Sequence, residues 1–272
     1  NIGMVNYRLV SEEERKRYAP ELIGQSHVLV TDGEKFWVVK HKIGPTDPQK
    51  RDRLGYLIGS TFANVTEVRL LDHSEHEQIK ALANKDESSN PDNTFLVRLG
   101  GSYSIEELPC KTLEEAVAAE LVYSTWVRRR DTHVDNRTYL DGIPIFYDHE
   151  TAFLHELDMA NIANFSTVPG GYGHPYMWRV KQISEPMTTV QARNVDKNQM
   201  GAHHYVYNLE EFRKQMDIKK REFASLSEDL KGKIAESGFT NDQAADIYSF
   251  LQNNLSTLDQ DLKTIQEIIF KD

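Results

Sequence analysis

The sequence predicts an α+β fold in which a strand-rich N-terminal lobe is followed by a helical C-terminal lobe. Three observations carry this expectation. HVLVTDGEKFWVVKHK, His27 to Lys42, places two apolar β-runs around Asp32-Gly33, the strongest short-range hairpin signal in the chain. At Thr112 the texture changes to helical spacing in LEEAVAAELVYSTWV. From about Leu209 onward the pattern is helical almost to the last residue. The predicted division is residues 4–107 for the first lobe and 108–272 for the second.

Taken in order, the hairpin is followed by a polar loop with Pro45 and Pro48, and RDRLGYLIGSTFANV then carries Leu54, Leu57, Ile58 and Phe62 at helical spacing. VTEVRLL returns to strand pattern, NKDESSNPDN (Asn84 to Asn93) reads as a polar loop, and TFLVRLG (Thr94 to Gly100) as the strand that ends the first lobe. Thr112 and Glu115 form a T-x-x-E capping box ahead of an expected amphipathic helix. Ile143 to Tyr147 is a short apolar strand running into Asp148, and Pro169 to Pro175 is an irregular, Gly-rich segment. Three helical stretches close the chain: LEEFRKQMDIKKREFASL, DQAADIYSFLQNNL and STLDQDLKTIQEIIF. In the last, Leu255, Leu258, Leu262, Ile265 and Ile269 form a stripe expected to face a core.

The chain has 272 residues, 39% hydrophobic and 27% charged, enough for a real core. A net charge of −10 argues against a broad nucleic-acid or anionic-membrane surface, leaving only local basic patches such as Arg128 to Arg130. With Cys110 the only cysteine, no disulfide can form within the chain, so a reducing, cytoplasmic setting is expected. No apolar run approaches 18 residues, no secretory or transit pattern is recognisable, and Asn1 to Gly3 ahead of Met4 read as an expression-vector remnant.

The chemistry concentrates in RRRDTHVDNRTYLDGIPIFYDHETAF, Arg128 to Phe153. Asp131 and Asn136 are five residues apart in a loop after a helix, so a carboxylate and an amide can converge on one small volume. The carboxylate can take a proton from a hydroxyl nucleophile, and the amide oxygen can hold a divalent cation. Asp148 arrives at the end of a neighbouring strand, where it can join Asn136 as a Mg²⁺ ligand. D-x4-N, strand, D is the layout of kinase-fold phosphotransferases. Upstream, FWVVK ends a hairpin strand with Lys40, placed to pair ATP phosphates, with Lys42 its competitor on the same strand face. Gly24 and Ser26, just before the hairpin, could cap phosphates through backbone amides and a hydroxyl.

Together, G-x-S-H, DG-x-x-FWVVK, RRRDTHVDN and IFYDHETAF resemble the HipA-like kinases and, more distantly, the phosphoinositide-kinase relatives of the protein-kinase fold. The resemblance covers roughly Gly24 to Phe153. It implies a bilobal protein-kinase-like fold, Asp131 as catalytic base, Asn136 and Asp148 as metal ligands, and Lys40 as the ATP lysine. The implied cofactors are ATP and Mg²⁺. The implied acceptor is a hydroxyl on a protein or small molecule, with protein Ser/Thr slightly favoured. His149-Glu150 after the metal aspartate, in place of Phe-Gly, agrees with the HipA-like branch. Arg130, His133 and Asp135 read as loop bracing, and His203-His204 as surface or cleft lining. No glutamate in the Arg51 to Phe62 helix is placed to pair with Lys40; Asp52 and Glu67 are the nearest acids, and neither is placed by pattern.

Two other functions remain open at this level. A kinase fold without an acidic partner for its lysine could be a pseudokinase or nucleotide-binding interaction module. His133, His149 and His155 with Asp131, Asp148 and Glu150 could serve a metal-dependent phosphohydrolase, although no H-E-x-x-H is present.

Overall fold

The structure is a computed structural model that describes residues 5–22, 27–41, 47–83, 94–129, 136–157, 159, 179–192, 203–225 and 229–270. It is a mixed α+β chain built on a five-stranded antiparallel sheet. The strands are β1 (Arg8–Leu9), β2 (Leu29–Thr31), β3 (Phe36–His41), β4 (Val68–Leu70) and β5 (Thr94–Arg98), in the order β1-β2-β3-β5-β4.

The Asp32-Gly33 hairpin forms as expected, with Leu29 opposite Val38 and Thr31 opposite Phe36. Gly33 takes φ +97°, a conformation that side chains disfavour, and the Asp32 carboxylate accepts the Glu34 and Lys35 amides at 2.9 and 2.8 Å. Period-two alternation splits the sheet into two faces. Val30, Trp37, Val39 and Leu96 pack on one face with Ile79 of helix α3 (His73–Leu82). Leu29, Phe36 and Val38 lie on the other, together with Lys40 and, across the β3–β5 ladder, Phe95 and Val97.

Helix α2 (Asp47–Gly59) covers part of that second face, with Tyr56 edge-on to Phe95 at 6.2 Å between ring centroids. Two short elements had no clear sequence signal. These are α1 (Glu12–Tyr18), started by a Ser11/Glu14 capping box, and α3, started by Asp72.

The second half is organised around α4 (Leu113–Val127). The amphipathic expectation fails here: every residue of α4 except Glu115 is buried, so the helix is central rather than one-sided. It is enclosed by α5 (Leu209–Ser225), α7 (Asn241–Ile269), β7 (Ile143–Phe146) and β9 (His203–Val206). The capping box is half formed. Thr112 accepts the Glu115 amide at 3.3 Å, while the Glu115 carboxylate turns away to pair with Lys219 of α5 at 3.0 Å.

Strand β6 (Arg137–Leu140) pairs antiparallel with β7, and β8 (Arg179–Gln182) pairs parallel with β9. A short helix α6 (Leu230–Glu236) precedes α7. The last two predicted helices are one: α7 runs unbroken through Asn254-Leu255, because the sequence there holds neither proline nor glycine and Thr240 with Gln243 caps only its start. Leu258, Leu262, Ile265 and Ile269 are buried, so the stripe does face the core. The two halves are joined at β7, where Phe146 bridges to Val65 in parallel and donates its amide to the Asn64 carbonyl at 3.0 Å.

Candidate functional site

Asp148 lies where three separate elements meet. The β6–β7 hairpin delivers it: Arg137 faces Phe146, the Tyr147 amide bonds the Asn136 carbonyl at 2.7 Å, and Asp148 comes directly after. Its backbone is left-handed at φ +59°, which costs a non-glycine residue about 1–2 kcal/mol. Surrounding groups hold it there. The Asp148 amide donates to the Tyr56 hydroxyl of α2 at 3.1 Å. Its carbonyl accepts from Arg129 Nε, just after α4, at 3.0 Å. Its carboxylate Oδ1 accepts from Lys40 Nζ of β3 at 2.5 Å.

The Lys40 side chain is 23% exposed and that of Asp148 38%, so the pair is partly buried and only partly screened by water. Burial alone would lower the Lys40 ammonium. The negative charges of Asp148 and Asp52, the Asp148 hydrogen bond and Glu150 outweigh it and raise the group above the ordinary lysine value.

Asp52 of α2 is the acidic group that sequence reasoning could not place. It is fully buried. Its Oδ1 accepts the His149 amide at 2.6 Å, and its Oδ2 has no hydrogen-bond partner among the described residues. Burial pushes its carboxyl up to about 7, with the Lys40 charge opposing and the Asp148 charge reinforcing the rise. Lys40 therefore does have an acidic neighbour from α2, an aspartate one methylene shorter than the glutamate sought. Glu67, the other acid considered, pairs with Lys35 at 2.9 Å and faces Arg98 at 3.7 Å instead.

His149 explains why α2 comes so close. A Cβ on Gly55 would sit 2.2 Å from His149 Cβ, so only glycine admits the imidazole against this helix. The Tyr123 hydroxyl donates to the Gly55 carbonyl at 3.0 Å and lies 2.8 Å from His149 Nδ1. With its one proton on Gly55, it accepts from Nδ1–H. Nε2 then carries the lone pair, and it has no partner among the described residues. Burial, with the Arg129 and Lys40 charges, holds this imidazole well below its ordinary value, so it is neutral. A neutral buried ring wedged between Tyr56 and Tyr123 is a packing element.

Arg129, for which the sequence suggested no role, braces the site. Buried at 0% exposure, it donates to the Tyr147 carbonyl at 2.6 Å as well as to Asp148, lies over the Phe146 ring at 4.9 Å, and reaches Glu120 at 3.4 Å. Glu120, raised by burial against the opposing Arg137 and Arg129 charges, also faces Arg137 at 3.8 Å and His204 at 3.6 Å. His204 is therefore part of a buried charged cluster rather than surface or cleft lining. The Arg128-Arg129-Arg130 run carried the basic signal, but that Arg129 turns inward depended on how α4 ends.

Continuing the β2–β3 register, in which Val39 donates to the Val28 carbonyl, places His27 beside Lys40 on the same sheet face. Burial and then the Lys40 charge depress the His27 imidazole, with Asp148 acting the other way.

Among the proposed site residues, Lys40 and Asp148 are in contact. Asn136, buried at the start of β6, lies beside Tyr147 through its backbone. Asp131, Gly24 and Ser26 lie outside the described residues, as do Lys42, Arg130, His133, Asp135 and Pro169 to Pro175. Among the described residues no three His, Cys, Asp or Glu side chains gather as a metal cluster, and no helix is long and apolar enough to cross a membrane. A surface pocket at the tip of the β6–β7 hairpin, lined by Tyr139, Asp141 and Met187, is at the opposite end of the hairpin from Asp148. Compared with family models, curated proteins and solved structures, the chain matches none.

Proposed function

We propose that this chain is a Mg²⁺- and ATP-dependent phosphotransferase of bilobal, kinase-like architecture that acts on a hydroxyl acceptor. The observation that carries the reading is the contact between Lys40 and Asp148, brought together from β3 and the end of β7. A lysine on a central strand of the sheet facing an aspartate that follows a hairpin is the arrangement phosphoryl transfer needs: a fixed cation for phosphate oxygens opposite a carboxylate for the metal. Asp52 adds the acidic neighbour from a helix.

The donor chemistry fits Mg²⁺. Asp148 and Asn136 offer carboxylate and amide oxygens, the hard ligands this ion takes alongside phosphate oxygens and water. When bound, Mg²⁺ would neutralise charge on the transferring phosphoryl group. Lys40 would hold phosphate oxygens through its ammonium, and Tyr56, Arg129 and α2 would hold Asp148 in its left-handed conformation. Asp131 would accept the acceptor hydroxyl's proton as that oxygen bonds to the γ-phosphorus and the bridging oxygen leaves with ADP. Catalysis would rest on positioning and charge neutralisation. The acceptor class is a protein Ser/Thr or small-molecule alcohol.

The test is calorimetry of ATP binding with and without Mg²⁺, on wild type and Asp148→Ala. Mg²⁺-dependent binding in the wild type that is lost in Asp148→Ala is the expected result. No Mg²⁺-dependent nucleotide binding in the wild type removes the reading. Binding without turnover would assign the chain instead to nucleotide-binding interaction modules, and phosphate-ester hydrolysis with Zn²⁺ or Mn²⁺ to the metallohydrolases.

A further inference from the structure

The C-terminal helix α7 carries no motif, yet it completes the end of α4. The last four carbonyls of α4 have no partner within the helix, and each is satisfied from elsewhere. Ser124 O accepts the Arg129 amide at 3.0 Å, and Val127 O accepts the Phe153 amide at 2.8 Å. Thr125 O accepts from Arg128 Nη1 at 2.6 Å, and Trp126 O accepts from Asn254 Nδ2 at 2.8 Å.

The last two depend on α7. Asn254 belongs to it, and Arg128 is held on it by Asp261 at 3.1 Å, with the Thr257 hydroxyl donating to the same carboxylate at 2.8 Å. In return the Trp126 indole donates to the Leu251 carbonyl at 2.9 Å. Leu251, Asn254, Thr257 and Asp261 recur every three or four residues, one stripe of α7. Arg128 itself is left-handed at φ +60°, a conformation that turns the chain out of the helix and that a β-carbon resists. Its side chain, anchored at both Thr125 and Asp261, holds that turn.

The proposed reaction centre begins directly after this turn. Arg129 comes next and grips the Asp148 carbonyl. We propose that α7 sets this turn for phosphoryl transfer, with Asn254 and Asp261 as positioning residues that act through Arg128 and Arg129 on Asp148. This role rests on the phosphotransferase reading. It gives the C-terminal helix a function beyond covering the core.

The test uses the full chain, wild type, Asp261→Ala and Asp261→Asn. Two quantities are read: steady-state ADP release with Mg²⁺-ATP, and amide hydrogen exchange of residues 128–136 compared with the β2–β3 hairpin. In Asp261→Ala, kcat should fall at least roughly tenfold, towards the roughly hundredfold scale of ångström-level misplacement, with KM for ATP within about twofold. Exchange should rise at 128–136 and stay unchanged in the hairpin. Asp261→Asn, which keeps an acceptor for Arg128, should restore most of kcat. Unchanged exchange at 128–136 overturns the proposal, and so does faster exchange with kcat retained. Uniformly faster exchange across the chain would mean general destabilisation and also overturns it. Failure of the phosphotransferase reading would show separately, as absence of Mg²⁺-dependent ADP release in the wild type, and would take the positioning role with it.

Discussion

Lys40 and Asp148, 108 positions apart in the chain, form a partly buried 2.5 Å ion pair, and the charge of buried Asp52 is felt at the same ammonium. Lys40 therefore answers two carboxylates, and its removal should leave both facing each other without a cation. Exposed pairs contribute under about 1 kcal/mol, whereas breaking a buried pair costs about 3–5 kcal/mol. For this half-buried pair, Lys40→Met should lower stability by about 2 kcal/mol in urea denaturation, between those limits. Adding Asp52→Asn should recover a measurable part of the loss. A double variant no more stable than Lys40→Met would show that Asp52 and Lys40 are not coupled.

The pH dependence of stability should hold two opposing slopes. Burial holds the Asp52 carboxyl up to about 7, above its unfolded value. From about pH 4 to 7 the folded chain keeps a proton that the unfolded chain has released, so this contribution is full at low pH and is lost as pH rises. Burial holds His149 well below its ordinary value. Below about pH 6.5 the unfolded chain binds a proton that the folded chain refuses, so this contribution is present above that pH and lost on acidification. Below about pH 6.5 the two slopes oppose each other. In Asp52→Asn the His149 slope is no longer opposed by Asp52, and the thermal midpoint should climb more steeply with pH below about pH 6.5 than in the wild type. Parallel curves for variant and wild type would count against titration of Asp52 there.

Gly55→Ala separates helix propensity from packing. Propensity alone favours alanine in a helix by about 1 kcal/mol, but the new Cβ would lie 2.2 Å from His149 Cβ. The clash should dominate, costing about 3 kcal/mol or more in denaturant unfolding and weakening any Mg²⁺-dependent nucleotide binding through displacement of Asp148. A neutral or stabilising result would mean that His149 can leave its niche at little cost.

Arg129→Lys should not behave as a conservative change. A lysine cannot reach the Tyr147 and Asp148 carbonyls and Glu120 together, as the guanidinium does. Loss of about 3 kcal/mol is expected by chemical denaturation, since Glu120 is left buried with less compensation. Glu120→Gln in the same chain should return part of it. Equal stability of Arg129→Lys and wild type would argue that the Glu120 cluster is held by Arg137 and His204 alone.

Local order was readable where one short stretch carried its own signal. The Asp32-Gly33 hairpin, the helical spacing of α2, the strand before Asp148 and the core stripe of α7 all formed as expected. The readings that failed were those that depended on partners elsewhere in the chain. Helix α4 is central because α5, α7 and two strands surround it, and His204 is buried because Glu120 and Arg137 are. Asp52 could not be matched to Lys40 by pattern, because their meeting depends on how far α2 approaches the sheet. Gly55 and His149, packed directly against each other, set that approach.

The sequence alone marked Lys40, Asn136 and Asp148 as candidates for phosphate and metal, because they sit on or beside elements whose periodicity and turns are local. Only the tertiary structure decided that Lys40 touches Asp148, that Arg129 holds the Asp148 carbonyl, and that Asp52 supplies the buried charge. Those outcomes rest on packing and desolvation among residues up to 108 positions apart, and no local pattern records them.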